Sequence, residues 1–584
     1  MQRFLSKKIY VIFSLLSFFY IALLLGMITI HYQELISVPN TNIYDVMYQH
    51  NWEYWLEAPT HMQTTFSTFL QFIDIQYLHS QGIISISINV LFIFLFIILI
   101  SIMIKTLFPV KENPNKFIQN ILVFSTVIIL FSAIQDSSIV WMFNQQLFAA
   151  YFFPLLSYYL LVKLSENKNI KYFYILIFSI IMIILATPYD LSALMVLLLI
   201  GLVLKIGWIK NLIISVFTLL SFFLNYHELI NNILLVGQLN GDMSTNFLHY
   251  MLNYLGSIFV YLSFEPCCAT SSIIGGLFVI GSFIYFTYLV LSKKVTELIY
   301  WIILAFLLFY ILSAFGSFME IPNNHIIMFK NQYLTPSLIA WLLIFVLYIH
   351  HFNRQQILQR RVITLLTTFI AVLFFYQIFS YQHFRQDTSK LKLAAMSLKL
   401  GINDPLAINK LIRSNYIMMY IPSKGFDQKM SIFTINDIKI KVIQHRANLL
   451  KGNNPINFTY NATKNVLADD EAGVIPKTHS LTGDVETIIP SKKKENIYRI
   501  LGWVYNIKEK EVPERLVVFD EKYNLIGYVI TGLPRKDVEM QYGKNSVKSG
   551  FNGYIRYLKT PHLLVMVGNR RGEILKVKYS DSIQ

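Results

Sequence analysis

The sequence predicts an α-helical polytopic membrane domain of about eleven spans, followed by a soluble C-terminal domain of α+β type with a β-sandwich-like end. Of its 584 residues, 55% are hydrophobic and only 14% are charged, whereas a soluble domain usually carries about 25% charged residues. The charges are also unevenly placed. As far as residue 382 the chain is a series of apolar runs, each of roughly 17–22 residues and long enough to cross a bilayer as a helix.

The composition divides the chain into three segments. Residues 1–382 form the predicted transmembrane domain, 383–494 an α/β and linker region, and 495–584 the β-sandwich-like domain. The apolar runs place spans at about 9–31, 83–104, 118–135, 147–163, 171–187, 191–207, 209–226, 272–292, 297–316, 335–351 and 362–381. The short apolar segment 249–264 is ambiguous, and we interpret it as interfacial or re-entrant.

Loop charges predict the orientation. Lys and Arg are concentrated in alternate loops, as expected for the cytoplasmic side, and the opposite loops carry mainly Asp and Glu. The protein is therefore expected in a bacterial cytoplasmic membrane, with its N-terminus cytoplasmic and its C-terminal domain extracytoplasmic. The net charge of +16 is explained by this loop pattern. The expected partner is therefore membrane lipid, and a nucleic-acid partner is not expected.

The C-terminal segment changes from helical to β patterning. Residues 391–400 and 404–412 are predicted helices, and 451–494, which has few apolar residues, is predicted to be a long loop or linker. Short β-rich runs follow at 500–505, 515–519, 525–531 and 563–567, separated by turn residues. Several short strands with frequent turns are typical of a β-sandwich or a barrel.

Candidate chemistry lies in the predicted outer loops. The first, residues 31–82, is long and holds Asp45, Glu57 and His61 among aromatic residues. A carboxylate here could act as a general base or metal ligand, or simply be a solvated loop charge. No cluster of metal-ligand spacing is evident, so no metal site is predicted.

Three further outer loops contribute candidates for substrate binding. Trp141, Asn144 and Gln145 precede the fourth span, where they could bind a hydroxyl-rich ligand or cap helices. Asp190 lies in a Thr-Pro-Tyr-Asp turn, for which an ordinary turn role is the alternative. Lys330 is a lone cation among outer carboxylates, suited to an anionic headgroup or to snorkelling at the interface.

Four passages give the chain a resemblance to a known family. They are Trp55-Leu-Glu57-Ala-Pro-Thr-His61, Trp141-Met-Phe-Asn144-Gln145, Phe329-Lys330-Asn-Gln332-Tyr333, and the C-terminal Gly532-Leu-Pro-Arg535-Lys-Asp537. In these passages and in overall layout the chain resembles the bacterial multi-spanning glycosyltransferases of the GT-C type, which include O-antigen glucosyltransferase-like proteins.

The resemblance implies a function. Such enzymes take a sugar from a polyprenyl-phosphate carrier on the outer side of the membrane and transfer it to a glycan or glycolipid acceptor. By resemblance Asp45 would be the catalytic base, with Glu57 as second candidate, and Lys330 or a divalent cation would face the lipid phosphate. The substrate pocket would comprise His61, Trp141, Asn144, Gln145, Asp190, Gln332 and Tyr333.

A non-catalytic protein is the alternative. It would be a translocator, or an assembly component of envelope polysaccharide whose outer domain binds glycan or a partner. Translocators usually place polar groups inside their spans, whereas the acids of this sequence cluster in the predicted outer loops.

Overall fold

A computed structural model describes most of the helical region and the C-terminal strands. The described residues are 13–26, 65–78, 83–109, 113–132, 147–167, 169–187, 189–225, 243–262, 269–319, 334–399, 481–492, 497–513, 515–519, 525–556, 563–568 and 574–578. They divide into a compact helical unit, which includes residues 82–380, and a second unit, which includes residues 381–584.

Fourteen α-helices are described before the first strand. They are α1 Phe13–Gly26, α2 Thr65–Leu78, α3 Ile83–Leu107, α4 Asn113–Leu130, α5 Leu147–Asn167, α6 Ile170–Ala186, α7 Asp190–Val203, α8 Trp208–Asn225, α9 Met243–Leu255, α10 Ser257–Leu262, α11 Ala269–Leu291, α12 Ile299–Met319, α13 Leu334–His351 and α14 Gln356–Lys399. A helix therefore lies at each position where the apolar runs predict a span.

Six of these helices are long and apolar enough to cross a membrane, judged by length and composition: α3, α5, α11, α12, α13 and the first half of α14. The apolar parts of α1, α4, α6, α7 and α8 are shorter. The fold is thus a mostly helical N-terminal region with several candidate spans. Helix α14 is longer than predicted and continues through residues 391–399.

The centre of the helical unit is formed by α5, α12 and α13. Helix α12 packs against α5, α7, α9, α11 and α13. Along α13, almost every side chain from Leu334 to Leu347 is buried, whereas large apolar side chains of α8 and α11, such as Phe223 and Ile284, are exposed. A helix that is apolar all round belongs in a core or in lipid, so this arrangement fits a bundle with an apolar outer surface.

The segment predicted to be interfacial or re-entrant is a broken helix. Helix α9 ends at Leu255 and the short α10 begins at Ser257. The break at Gly256 packs onto α11, where Gly275 and Gly276 face it. A Cβ on Gly256 would overlap the carbonyl of Ser272, and a Cβ on Gly276 would overlap the backbone of Leu252. Glycine is required because the two backbones touch.

The described residues of the C-terminal unit form a seven-stranded antiparallel sheet. Its strands are β1 Leu481–Lys492, β2 Ile497–Asn506, β3 Arg515–Phe519, β4 Leu525–Leu533, β5 Gly550–Arg556, β6 Leu563–Gly568 and β7 Ile574–Lys578. They pair in the order β1-β2-β5-β4-β3-β6-β7. A seven-residue helix, α15 (Lys536–Tyr542), connects β4 to β5.

The sheet curls around a single apolar core. Ile500 and Val504 of β2, Phe551 of β5 and Leu575 of β7 all belong to it. A Cβ on Gly483 of β1 would lie 3.0 Å from Cδ2 of Leu575, so the two edge strands approach each other. The described strands therefore form one curled sheet, as in the barrel alternative, and not the two stacked sheets of the predicted sandwich.

The predicted linker 451–494 needs a correction. Its last part, from Leu481, is strand β1, the longest strand of the sheet. Of the side chains described as far as Ile489, three enter the core: Leu481, Val485 and Ile488. A bulge between Val485 and Thr487 interrupts their alternation, which is why the apolar pattern of this strand is weak in the sequence.

Candidate functional site

Buried hydroxyl groups cluster at one end of the helical unit. We call it the Asp190 end, where α5, α7 and α13 begin and α6, α8 and α12 end. The Tyr254 hydroxyl lies 3.3 Å from that of Tyr151 and 3.2 Å from Oγ of Ser313. One turn away, the Tyr250 hydroxyl lies 2.7 Å from Oγ of Ser317. These pairs join α5, α9 and α12 through polar groups in an otherwise apolar bundle.

The break between α9 and α10 extends this hydroxyl cluster. The Tyr310 hydroxyl donates to the Tyr254 carbonyl at 2.9 Å, and Oγ of Ser337 donates to the Leu255 carbonyl at 3.4 Å. A helix end leaves carbonyls without a helical partner. Here side chains from α12 and α13 supply the donors, which makes it possible to bury the break.

Asp190 is the predicted site residue that the structure describes. It is the first residue of α7 and is only 1% exposed. Its Oδ2 accepts a 2.7 Å hydrogen bond from Ser221 of α8, and its Oδ1 accepts one from the Leu191 amide at 2.8 Å. A carboxylate at a helix N-terminus is also favoured by the helix dipole. Asp190 is thus a buried, hydrogen-bonded residue of the bundle and not a solvent-exposed turn residue.

The turn that leads into Asp190 is held by a contact with a proline-containing stretch of α5. Pro154 of α5 has no amide to donate, so the Ala150 carbonyl lacks its usual helical partner. Oγ1 of Thr187 donates to that carbonyl at 3.1 Å. On the other side, the Tyr189 ring packs so closely on Gly316 of α12 that a Cβ there would lie 3.0 Å from it. The turn that carries Asp190 is therefore fixed against α5 and α12.

A second carboxylate, Asp74 of α2, is also fully buried. Among the described residues, Asp74 and Asp190 are the buried carboxylates, and no described Lys or Arg is buried. Burying a carboxylate is costly, and buried ionisable side chains are often functional. These two acids are therefore the described residues of greatest interest for chemistry.

The other predicted site residues lie outside the described residues: Asp45, Glu57, His61, Trp141, Asn144, Gln145, Lys330, Gln332 and Tyr333. Two of them come shortly before described helices in the sequence. Gln145 is two residues before α5 and Tyr333 is immediately before α13. Both helices begin at the Asp190 end.

Sequence reasoning missed the hydroxyl cluster. Its signal is a repeat of polar groups at helical spacing, with Tyr250 and Tyr254 four residues apart on α9 and Ser313 and Ser317 four residues apart on α12. Residues at this spacing share one helix face. Within long apolar helices, such a stripe marks the side that turns towards the bundle interior.

Among the described residues, no group of three or more His, Cys, Asp or Glu side chains could hold a metal ion. The hydroxyl cluster offers neutral donors and acceptors, which suit a hydroxyl-rich ligand or hold helices together. No family model, no curated protein and no solved structure matches this chain.

Proposed function

We propose that the protein is a membrane glycosyltransferase that moves a sugar from a polyprenyl-phosphate carrier to an envelope polysaccharide or glycolipid. The observation that carries the proposal is the buried polar end of the bundle. Asp190, the hydroxyl cluster and the helix starts that follow two of the candidate-bearing loops all belong to that one end. The positively charged loops lie on the opposite side of the predicted topology, which supports an outer-face position for this end in the proposal.

The proposed reaction assigns roles to the loop residues. The acceptor hydroxyl attacks the anomeric carbon of the donor sugar, and the bond from that carbon to the phosphate oxygen breaks. Asp45 takes the hydroxyl proton as general base, with Glu57 as second candidate. The polyprenyl phosphate leaves with the bonding electrons, and Lys330, or a divalent cation, stabilises its charge.

The remaining candidates form the pocket in this proposal. His61, Trp141, Asn144, Gln145, Gln332 and Tyr333 bind the sugar and the lipid phosphate. Asp190 acts from within the bundle: the carboxylate held by Ser221 and the Leu191 amide keeps the start of α7 in place. Its loss is expected to disturb the pocket even though it need not touch substrate.

Mass spectrometry of the host's surface polysaccharides tests the proposal. The gene is compared intact, deleted, and carrying Asp45→Ala. Loss of the same hexose-sized mass in both altered strains supports transfer and places Asp45 in it. If deletion changes the glycan and Asp45→Ala does not, Asp45 is not the base. Unchanged glycan in the deletion strain contradicts the transferase altogether.

One observation favours the translocator alternative. Transporters often bind substrate at broken helices, where backbone groups leave the helical pattern, and α9 and α10 are broken at Gly256 inside the bundle. The two functions differ in what accumulates on deletion. A transferase leaves unmodified acceptor together with unused lipid-linked sugar, whereas a translocator leaves finished lipid-linked glycan on the cytoplasmic side.

A further inference from the structure

The outer face of the C-terminal sheet carries a row of aromatic and charged side chains. Asp484 of β1, Trp503 of β2 and Gly550 of β5 are direct cross-strand partners. The next row, Val485, Gly502 and Phe551, contributes Val485 and Phe551 to the apolar core. Because neighbouring residues of a strand point to opposite faces, Asp484 and Trp503 lie on the face away from the core.

Helix α15 completes an aromatic platform on this face. The ring of Tyr542, the last residue of α15, lies 5.8 Å from the ring of Trp503 and 5.6 Å from that of Tyr505. Tyr505 is buried, but Trp503 and Tyr542 stay partly exposed, and Met540 on the same helix is 87% exposed. The rings of the platform therefore pack against one another and keep part of their surface accessible to solvent.

Charged side chains lie next to the aromatic platform. Arg535 donates to Glu486 at 2.6 Å and, through Nε, to Asp537 at 2.8 Å. A Cβ on Gly550 would lie 3.0 Å from Cγ of Arg535, so the arginine stem covers the strand position next to Trp503. Asp484 adjoins Trp503 on β1 and is exposed. The Arg535 guanidinium is thus held by two carboxylates, while Asp484 is an exposed carboxylate in the cross-strand position next to Trp503.

The combination matches the chemistry of a sugar ring. A pyranose has a C–H face that packs on an aromatic ring and hydroxyls at its edge that bond to carboxylates and guanidinium groups. The charge around the platform further restricts the class of ligand. Asp484, Glu486, Asp537 and Glu539 are balanced in number by Arg535, Lys536, Lys544 and Lys548 in these segments, although the whole chain is strongly basic. An anionic ligand would therefore gain no net attraction and would meet the Asp484 carboxylate beside Trp503, so a neutral ligand is favoured.

We infer that Trp503, Tyr542 and Asp484, with the Arg535 network at their side, form a binding site for neutral saccharide chains. Under the proposed function this site would hold the acceptor glycan, but binding itself does not depend on sugar transfer. A failed transfer assay would therefore leave this inference standing, and a failed binding assay would leave the transferase proposal standing.

Binding is measured on the full chain in lipid nanodiscs, by thermophoresis with labelled hexasaccharides. The probes are the neutral chains of β-glucose, α-glucose and N-acetylglucosamine, with an oligogalacturonate as the acidic comparison. We expect at least one neutral probe to bind with a dissociation constant of about 1 mM or tighter, and the acidic probe to bind more weakly. Trp503→Ala should weaken binding by about tenfold, the effect of losing a central aromatic contact.

Two matched variants make the test specific. Asp484→Ala, on an exposed side chain, leaves the core untouched and should weaken binding by about threefold, as expected for one hydrogen bond. Trp208→Ala, on a tryptophan of α8 that is 75% exposed, should leave binding unchanged. The inference is overturned if no neutral probe binds, if the acidic probe binds best, or if Trp503→Ala and Asp484→Ala both bind like the unaltered protein.

Discussion

The helical unit and the C-terminal sheet distribute polar and apolar groups in opposite ways. In the helical unit, hydroxyls such as Tyr254 and Ser313 are buried while Phe223 and Trp208 are exposed. In the sheet, Val504 and Phe551 form a buried core while charged Asp484 and Asp537 face solvent. The hydrophobic effect drives the second pattern in water. In lipid, where apolar surface has no such penalty, polar contacts and close packing hold helices together.

The largest effect is expected in the sheet. Val504→Asp places a carboxylate in the core of the curled sheet, where the side chain is fully buried. The burial cost together with the lost packing should destabilise this unit by about 4 kcal/mol or more. Limited proteolysis should then remove the C-terminal residues while the helical unit stays intact. Ile507→Asp, at a neighbouring position that is 52% exposed, is the control. It should resist proteolysis as well as the unaltered protein does.

The next effect tests backbone packing in the helical unit. Gly256→Ala forces a Cβ into the Ser272 carbonyl, which should cost about 1–3 kcal/mol of overpacking. Gly281→Ala on α11 has no atom within 4 Å of its Cβ and should stabilise the helix by up to about 1 kcal/mol. Thermal unfolding in detergent measures both. Equal changes in the unfolding temperature of the two variants would mean that the break at Gly256 is not a close backbone contact.

A smaller effect tests the buried hydroxyls. Tyr254→Phe keeps the ring but removes the hydroxyl that lies beside Tyr151 and Ser313. Hydrogen bonds between membrane helices contribute about 0.6 kcal/mol on average, so a loss of about 0.5–1.5 kcal/mol is expected. Tyr288→Phe, at a side chain that is largely exposed, is the matched control. A Tyr254→Phe variant as stable as this control would show that the cluster does not hold the helices.

The smallest effect is the pH dependence of an exposed ion pair. The Arg535 guanidinium lowers the pKa of Asp537 to about 2, from an ordinary value near 4. Since the folded-state pKa is depressed, the stabilisation is present above the ordinary pKa and is lost as the pH falls through about 2. NMR titration of the Asp537 carboxyl measures it, and Arg535→Gln should return the pKa towards its ordinary value. A carboxyl that titrates normally in the unaltered protein contradicts the pairing.

The two units also differ in how much of them the sequence reveals. Long apolar runs predict the positions of the helices well, because a helix that is apolar on every side needs no particular phase. The strand β1 is harder to see, since Gly483 and the bulge at Glu486 interrupt its pattern. Strand β5, Gly550–Arg556, has three glycine or asparagine residues in its first four, and its strand form depends on pairing with β2 and β4.

The candidate site can be predicted only in part from the sequence, because its contacts join residues that are far apart in the chain. Asp190 is recognisable as a turn acid, but its burial depends on Ser221, which is 31 residues away. The link between Tyr151 and Tyr254 spans 103 residues. Such contacts are set by how helices pack, and a single sequence carries no direct record of them.

The approach of β1 to β7 has a consequence for contacts between neighbouring copies of the protein. Strand edges expose unpaired backbone groups on which a second molecule can grow a shared sheet. Membrane anchoring would hold copies in two dimensions and make such encounters frequent. The two edge strands of the curled sheet approach each other across Gly483 and Leu575, which leaves a second molecule less room to pair with either edge. A curled sheet of this kind is therefore expected to be less prone to edge-to-edge growth between copies than a flat one.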